Sequence, residues 1–114
     1  PKSSHEFGKI INEKQFNRLV GYLKDGTVVH GGEHDVQHLF IAPTLIESVS
    51  LDSSIMRDEI FGPILPIISY ETEEEALSII QKNPNPLAFY IFSNQQKEAE
   101  RWLDKVPSGA ACIN

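Results

Sequence analysis

The stretch Asp58-Glu59-Ile60-Phe61-Gly62-Pro63 places a carboxylate, an aromatic ring, a glycine and a proline in one turn ahead of an apolar run. An ionised carboxylate has two acceptor oxygens and no donor, so Glu59 is suited to accept both hydroxyls of a vicinal diol. Phe61 offers an apolar face to a flat heterocycle. Gly62 lets the backbone or a ligand approach closely, and Pro63 pre-sets φ, so the side chains before them are held in place. Loops at strand ends are where α/β proteins bind small ligands, and these residue types suit a sugar joined to a heterocycle. By type alone they also suit a surface turn with one buried Phe.

Other chemistry-bearing residues have simpler explanations. His30, His34 and His38 are spaced by four, with Glu33 and Asp35 between them, but Gly31-Gly32 breaks any helix that would align them. They read as solvated loop histidines, and no metal site is expected. Cys112, flanked by Ala110, Ala111 and Ile113, reads as an inert core cysteine, because an apolar strand raises a thiol pKa. No His lies near it in sequence to activate it as a nucleophile. Glu71, Glu73, Glu74 and Glu75 sit where a helix start favours negative charge, and they lack the alternating oxygens and the Gly of a calcium loop. Gly31-Gly32 has neither the G-x-G-x-x-G nor the G-x-x-x-x-G-K context of a phosphate cradle.

The elements that must position the turn follow from periodicity. Phe16, Leu19, Val20 and Leu23 recur at helical spacing, with Asn12 as cap, Gln15 three residues on and Gly26 as terminator; a helix near 13–24 is predicted. Thr27–His30 reads as a short strand, the segment through Gln37 as a loop, and Phe40–Ile46 as a second strand in which Pro43 requires an edge or bulge. From Ile60 the pattern becomes strand, helix, strand, helix, strand. Ile64–Tyr70 and Leu87–Phe92 read as strands covered on both faces, and Ala110–Ile113 as a third. Thr72 and Glu75 form a capping box for a helix burying Ala76, Leu77, Ile79 and Ile80. Ser93 with Gln96 opens another helix, whose stripe is Ala99, Trp102, Leu103 and Val106. The expected fold class is α/β: a parallel β-α-β-α-β unit preceded by a helix and two short strands.

The chain has 114 residues, 40% hydrophobic and 23% charged, which suits a globular chain of about one domain. Ten Lys+Arg against sixteen Asp+Glu give a net charge of −6, and the basic residues are scattered, so nucleic acid is not an expected partner. A single cysteine excludes an intrachain disulfide and fits a reducing compartment. No apolar run approaches the ~20 residues of a membrane helix, and Pro1–Glu6 lacks a signal-peptide core. A cytoplasmic location is expected. The third strand ends with Asn114, leaving nothing to cover the far side of the sheet, and a fragment of a larger protein is expected.

The sequence resembles the NAD(P)-dependent aldehyde dehydrogenases, and within them the class 3 or fatty-aldehyde type. The resemblance runs from about Gly8 to Asn114. It rests on Phe16, Gly31-Gly32, Ile41-Ala42-Pro43-Thr44, Leu65-Pro66-Ile67, Pro86-Leu87-Ala88, Phe92-Ser93, Ser108-Gly109 and, most specifically, Glu59-Ile60-Phe61-Gly62-Pro63. It implies that Glu59 binds ribose hydroxyls of NAD or NADP and that Phe61 packs near the nicotinamide ring. The family commonly has Glu where this chain has Asp58. The resemblance implies a parent enzyme that oxidises medium-chain, long-chain or aromatic aldehydes to carboxylates. A cysteine thiohemiacetal gives up hydride to the nicotinamide, and water activated by a glutamate hydrolyses the thioester. It places that cysteine, that glutamate and the cofactor domain before Pro1, and the oligomerisation strands after Asn114. Cys112 is not the nucleophile. The 114-residue chain is then a partial catalytic domain, inactive alone, from a homo-oligomeric parent that needs no metal. Two other readings are a non-catalytic interaction module and a remnant that binds nucleotide weakly. Glu59 alone would supply only ~1.5–3 kcal/mol to the latter.

Overall fold

A computed structural model describes residues 7–114. The chain divides into two compact units, Pro1–Ser69 and Tyr70–Asn114. The Pro1–Glu6 start, read above for a signal peptide, lies outside the described residues.

In the first unit, helix α1 spans Glu13–Tyr22, and the Asn12 side chain accepts from the Gln15 N–H at 2.9 Å. The capping box is only half formed, because the Gln15 side chain accepts from Arg18 Nε at 2.6 Å instead of turning back to the cap. The helix buries Phe16, Leu19 and Tyr22, with Val20 and Leu23 packed partly against the same core. Strands β1 (Thr27–His30), β4 (Thr44–Glu47) and β5 (Ile64–Pro66) form a sheet in the order β1-β4-β5. β1 is antiparallel and β5 parallel to β4. Two further short strands, β2 (His34–Asp35) and β3 (Phe40–Ile41), make a small antiparallel pair. Helix α2 (Ser54–Arg57) is a single turn that buries Ile55. Ile41, Ile46 and Ile64 complete the core beneath α1.

The strand predicted over Phe40–Ile46 is divided into β3 and β4 at Ala42-Pro43. Proline has no N–H to continue a ladder, and there the chain passes from one sheet to the other. The buried Thr44 hydroxyl secures this crossing by donating to the Ala42 carbonyl at 2.7 Å and accepting from the Gly32 N–H at 2.9 Å. Opposite it, Gly31 has φ +78°, and a Cβ there would meet the Pro43 carbonyl oxygen at 2.1 Å. Only glycine fits that approach.

In the second unit, helix α3 (Glu73–Gln81) is followed by β6 (Ala88–Ile91), helix α4 (Gln96–Lys105) and β7 (Ala110–Ile113). β6 and β7 are parallel, from Ala88 opposite Ala110 to Ile91 opposite Ile113, as a helical crossover requires. Ala76, Ile91, Ala99, Trp102 and Val106 are buried together. The Thr72 hydroxyl accepts from the Glu75 N–H at 3.2 Å, while Glu75 reaches back to the Glu71 N–H at 2.9 Å, one residue beyond the reciprocal cap. Ser93 is not the cap of α4. Gln95 takes that position, and Ser93 Oγ accepts from the Gln95 N–H at 3.1 Å.

The α/β character is as expected, but the strands differ from the sequence reading. The strand predicted over Ile64–Tyr70 stops at Pro66, because Pro66 offers no donor; the Ile67 N–H, bonded to the Ile46 carbonyl at 2.8 Å, prolongs the pairing by one residue. It ladders with β4, while β6 and β7 pair with each other, so three parallel strands do not share one ladder among the described residues. Nor are these strands covered on both faces: Leu65, Tyr90 and Phe92 are exposed, while Phe89 and Ile91 face the core. Cys112, predicted in the core, is also exposed; of β7, Ile113 is the residue that packs against the core of this unit.

Gly31→Ala is expected to destabilise the protein, expressed from its complete gene, by about 1–3 kcal/mol or more through the left-handed backbone and the Pro43 clash. Gly21→Ala, inside α1 with open space around it, should instead stabilise by roughly 0.5–1 kcal/mol. Urea unfolding of the two variants should move in opposite directions.

Candidate functional site

The turn 58–63 joins α2 to β5 and borders a cleft of about 620 Å³ in the first unit. Glu59 and Phe61 line it together with Lys9, Gln15, Arg18 and Asp58. That volume is in the range of small-molecule sites. Glu59 is exposed, and its carboxylate has no hydrogen bond within the described residues, so both oxygens are available to a ligand. Phe61 is 84% exposed and holds φ +50°, a left-handed conformation uncommon for an aromatic residue. It is not the buried ring of an ordinary surface turn. The bend costs on the order of 1–3 kcal/mol and persists because both of its ends are pinned. At Gly62 a Cβ would come within 2.6 Å of the fully buried Leu19 side chain, so the glycine is required by the helix beneath it. Beyond it, the Pro63 carbonyl accepts from the Thr44 N–H at 2.8 Å, fixing the turn to β4.

The other candidates are not among the residues that line this cleft. His30 lies on β1, His34 Nδ1 is 2.9 Å from the Gly32 carbonyl, and His38 Nδ1 is 2.7 Å from Asp35 Oδ2. No three His, Cys, Asp or Glu side chains among the described residues are grouped to hold a metal ion. Glu73 pairs with Arg101 and, at 3.6 Å, with Lys105, tying α3 to α4.

Sequence reasoning missed Arg18 and Tyr22, which stand four apart on α1. Arg18 Nη2 donates to the Ile60 carbonyl at 2.8 Å, and Nη1 donates to the Glu59 carbonyl at 3.3 Å and to the Tyr22 hydroxyl at 2.6 Å. The Tyr22 hydroxyl in turn donates to Asp58 Oδ2 at 2.9 Å. Their i, i+4 spacing was the only local signal, and it carries no information about a turn some forty residues away. Burial, and then the bond to Asp58, hold the Tyr22 phenol above its ordinary value of 10.0, against the lowering effect of Arg18. A raised folded-state value means that the folded chain keeps this proton more tightly than the unfolded chain. Its contribution to stability is therefore complete below pH 10.0 and is lost as pH rises through the folded value. Unfolding free energy measured on the alkaline side of pH 10.0 should fall less steeply for Tyr22→Phe than for the parent.

Comparisons with known proteins bear on this geometry. The model of the aldehyde dehydrogenase family matches residues 1–114. Human aldehyde dehydrogenase family 3 member B1 is 43% identical over 114 residues, covering 100% of this chain and 24% of the relative. The dimeric NADP-preferring aldehyde dehydrogenase of Rattus norvegicus is 38% identical over 113 residues, covering 99% and 25%. A crystal structure of Mycobacterium tuberculosis aldehyde dehydrogenase complexed with NAD+ superposes with a TM-score of 0.82 at 30% identity, over 94% of this chain and 24% of that one. The chain spans about a quarter of the length of the curated relatives it matches. A match along its whole length, with the same backbone course and relatives in family 3, shows that the chain belongs to the aldehyde dehydrogenase family.

Proposed function

We propose that this chain supplies the cofactor-contacting turn of an NAD(P)+-dependent aldehyde dehydrogenase, with Glu59 accepting the hydroxyls of the nicotinamide ribose and Phe61 lying against the nicotinamide ring. The observation that carries this reading is the pairing of an unengaged carboxylate with an exposed aromatic ring on a bend pinned at both ends, at the edge of a cleft of about 620 Å³. A vicinal diol offers two donors to a group that has only acceptors, and a flat ring covers apolar surface that the chain leaves open. When bound, the nicotinamide supplies hydride acceptance. The residues here bind and orient.

The same reading makes the chain part of a catalytic domain whose nucleophilic cysteine and water-activating glutamate are other residues of the parent enzyme. Among the described residues no basic side chain is hydrogen-bonded to exposed Cys112, whose thiol lies 3.9 Å from the Ile113 carbonyl. The parent would oxidise aldehydes to carboxylates as a homo-oligomer, in the cytoplasm, with no step that uses a metal. No helix of the described residues is long and apolar enough to cross a membrane.

In the protein expressed from its complete gene, Glu59→Gln should raise the cofactor KM or slow cofactor use by about tenfold or more while the thermal midpoint is kept, because a charged ribose contact is lost at constant volume. Unchanged cofactor kinetics would remove the ribose assignment. The isolated 114-residue chain should show no NAD(P)+-dependent aldehyde oxidation, and turnover that disappears with Cys112→Ser would place the chemistry here after all.

A further inference from the structure

Two carboxylates stand side by side at the cleft edge, and α1 treats them differently. Asp58 is engaged by the Tyr22 hydroxyl at 2.9 Å, whereas the Glu59 side chain has no partner within the described residues. The same hydroxyl accepts from Arg18 Nη1 at 2.6 Å, and the guanidinium continues to the carbonyls of Glu59 and Ile60 at 3.3 and 2.8 Å. Tyr22 is buried, on the face of α1 that carries Phe16 and Leu19, so its ring cannot follow the turn if the turn moves. A planar guanidinium with a fixed fork of donors can bridge two consecutive carbonyls only while its own orientation is held.

We propose that Tyr22 is a positioning residue for Glu59. Its hydroxyl engages one oxygen of the Asp58 carboxylate and braces Arg18 against the two carbonyls, so that the peptide carrying Glu59 is held in place while the Glu59 carboxylate is left open to the cofactor. The role rests on the ribose reading of Glu59. Without the brace, the peptide that carries Glu59 loses its fixed distance from the helix, and the bound ribose must pay for ordering it. Tyr22 is buried and does not line the cleft. It acts through Asp58 and Arg18.

The test uses the protein expressed from its complete gene, with NAD+ and NADP+ as probes in binding titrations and steady-state kinetics. Tyr22→Phe and Asp58→Ala should each weaken cofactor binding by about 3- to 10-fold, with KM rising while kcat changes less than about twofold. The double variant should lose no more than Tyr22→Phe alone, because that substitution already removes the Asp58 hydrogen bond along with the one from Arg18. Asp58→Asn, which keeps an acceptor for the phenol, should recover most of the loss. Should Tyr22→Phe fail to fold, Asp58→Ala carries the same test, since Asp58 is exposed. Cofactor binding within about twofold of the parent for Asp58→Ala, alongside a clear loss for Glu59→Gln, would overturn the positioning role and leave the ribose reading standing. Losses that multiply in the double variant would overturn it too. No loss for Glu59→Gln would overturn both.

Discussion

The guanidinium of Arg18 reaches from the middle of a helix to two consecutive carbonyls of a turn some forty residues away. This tether, with the Gly62 backbone lying on Leu19 and the Pro63 carbonyl bonded to β4, fixes a bend that the backbone would not adopt by itself. Phe61 in the left-handed region is the strained element. Three attachments, two on α1 and one on β4, hold it there, and α1 and β4 are packed through one core. A neutral hydrogen bond is worth only ~0.5–1.5 kcal/mol and one to a charged group ~1.5–3 kcal/mol, comparable with the strain, so the bend is held by the attachments together.

This arrangement separates support from presentation. Leu19, Tyr22 and Thr44 are buried and satisfied, while Glu59 and Phe61 project from the same few residues into the cleft. A ligand-binding acid is most useful when its own peptide is ordered before the ligand arrives, because the ordering entropy is then spent in folding rather than in binding. Family membership and the proposed ribose contact fit this division of labour. The second unit has a different character: its α3 and α4 stabilise one side of a short parallel pair, and aromatic side chains such as Tyr90 and Phe92 face outward.

Much of the secondary structure was legible from spacing. The caps at Asn12 and Thr72, the helices α1, α3 and α4, and the strands β1, β6 and β7 emerged because hydrophobic period and capping chemistry are local properties, whereas β2 lies in a segment read as loop. Burial of the strands was not legible. A continuous apolar run such as Leu87–Phe92 suggests cover on both sides, but periodicity cannot say which partner provides it, and Tyr90 and Phe92 are open. Cys112 was misplaced for the same reason, because four small or apolar residues in a row do not reveal which way each points.

The sequence by itself determined which residues could meet a sugar and a flat ring, since carboxylate, aromatic, glycine and proline carry those capacities wherever they are placed. It also determined where helices begin, because capping depends on neighbours three residues apart. Only the tertiary structure decided that the left-handed backbone falls on Phe61 rather than on Gly62, that Asp58 is engaged while Glu59 is not, and that Arg18 and Tyr22 belong to the site. Those outcomes arise from contacts between segments far apart in the chain, and such contacts exist only after α1 has packed over the sheet.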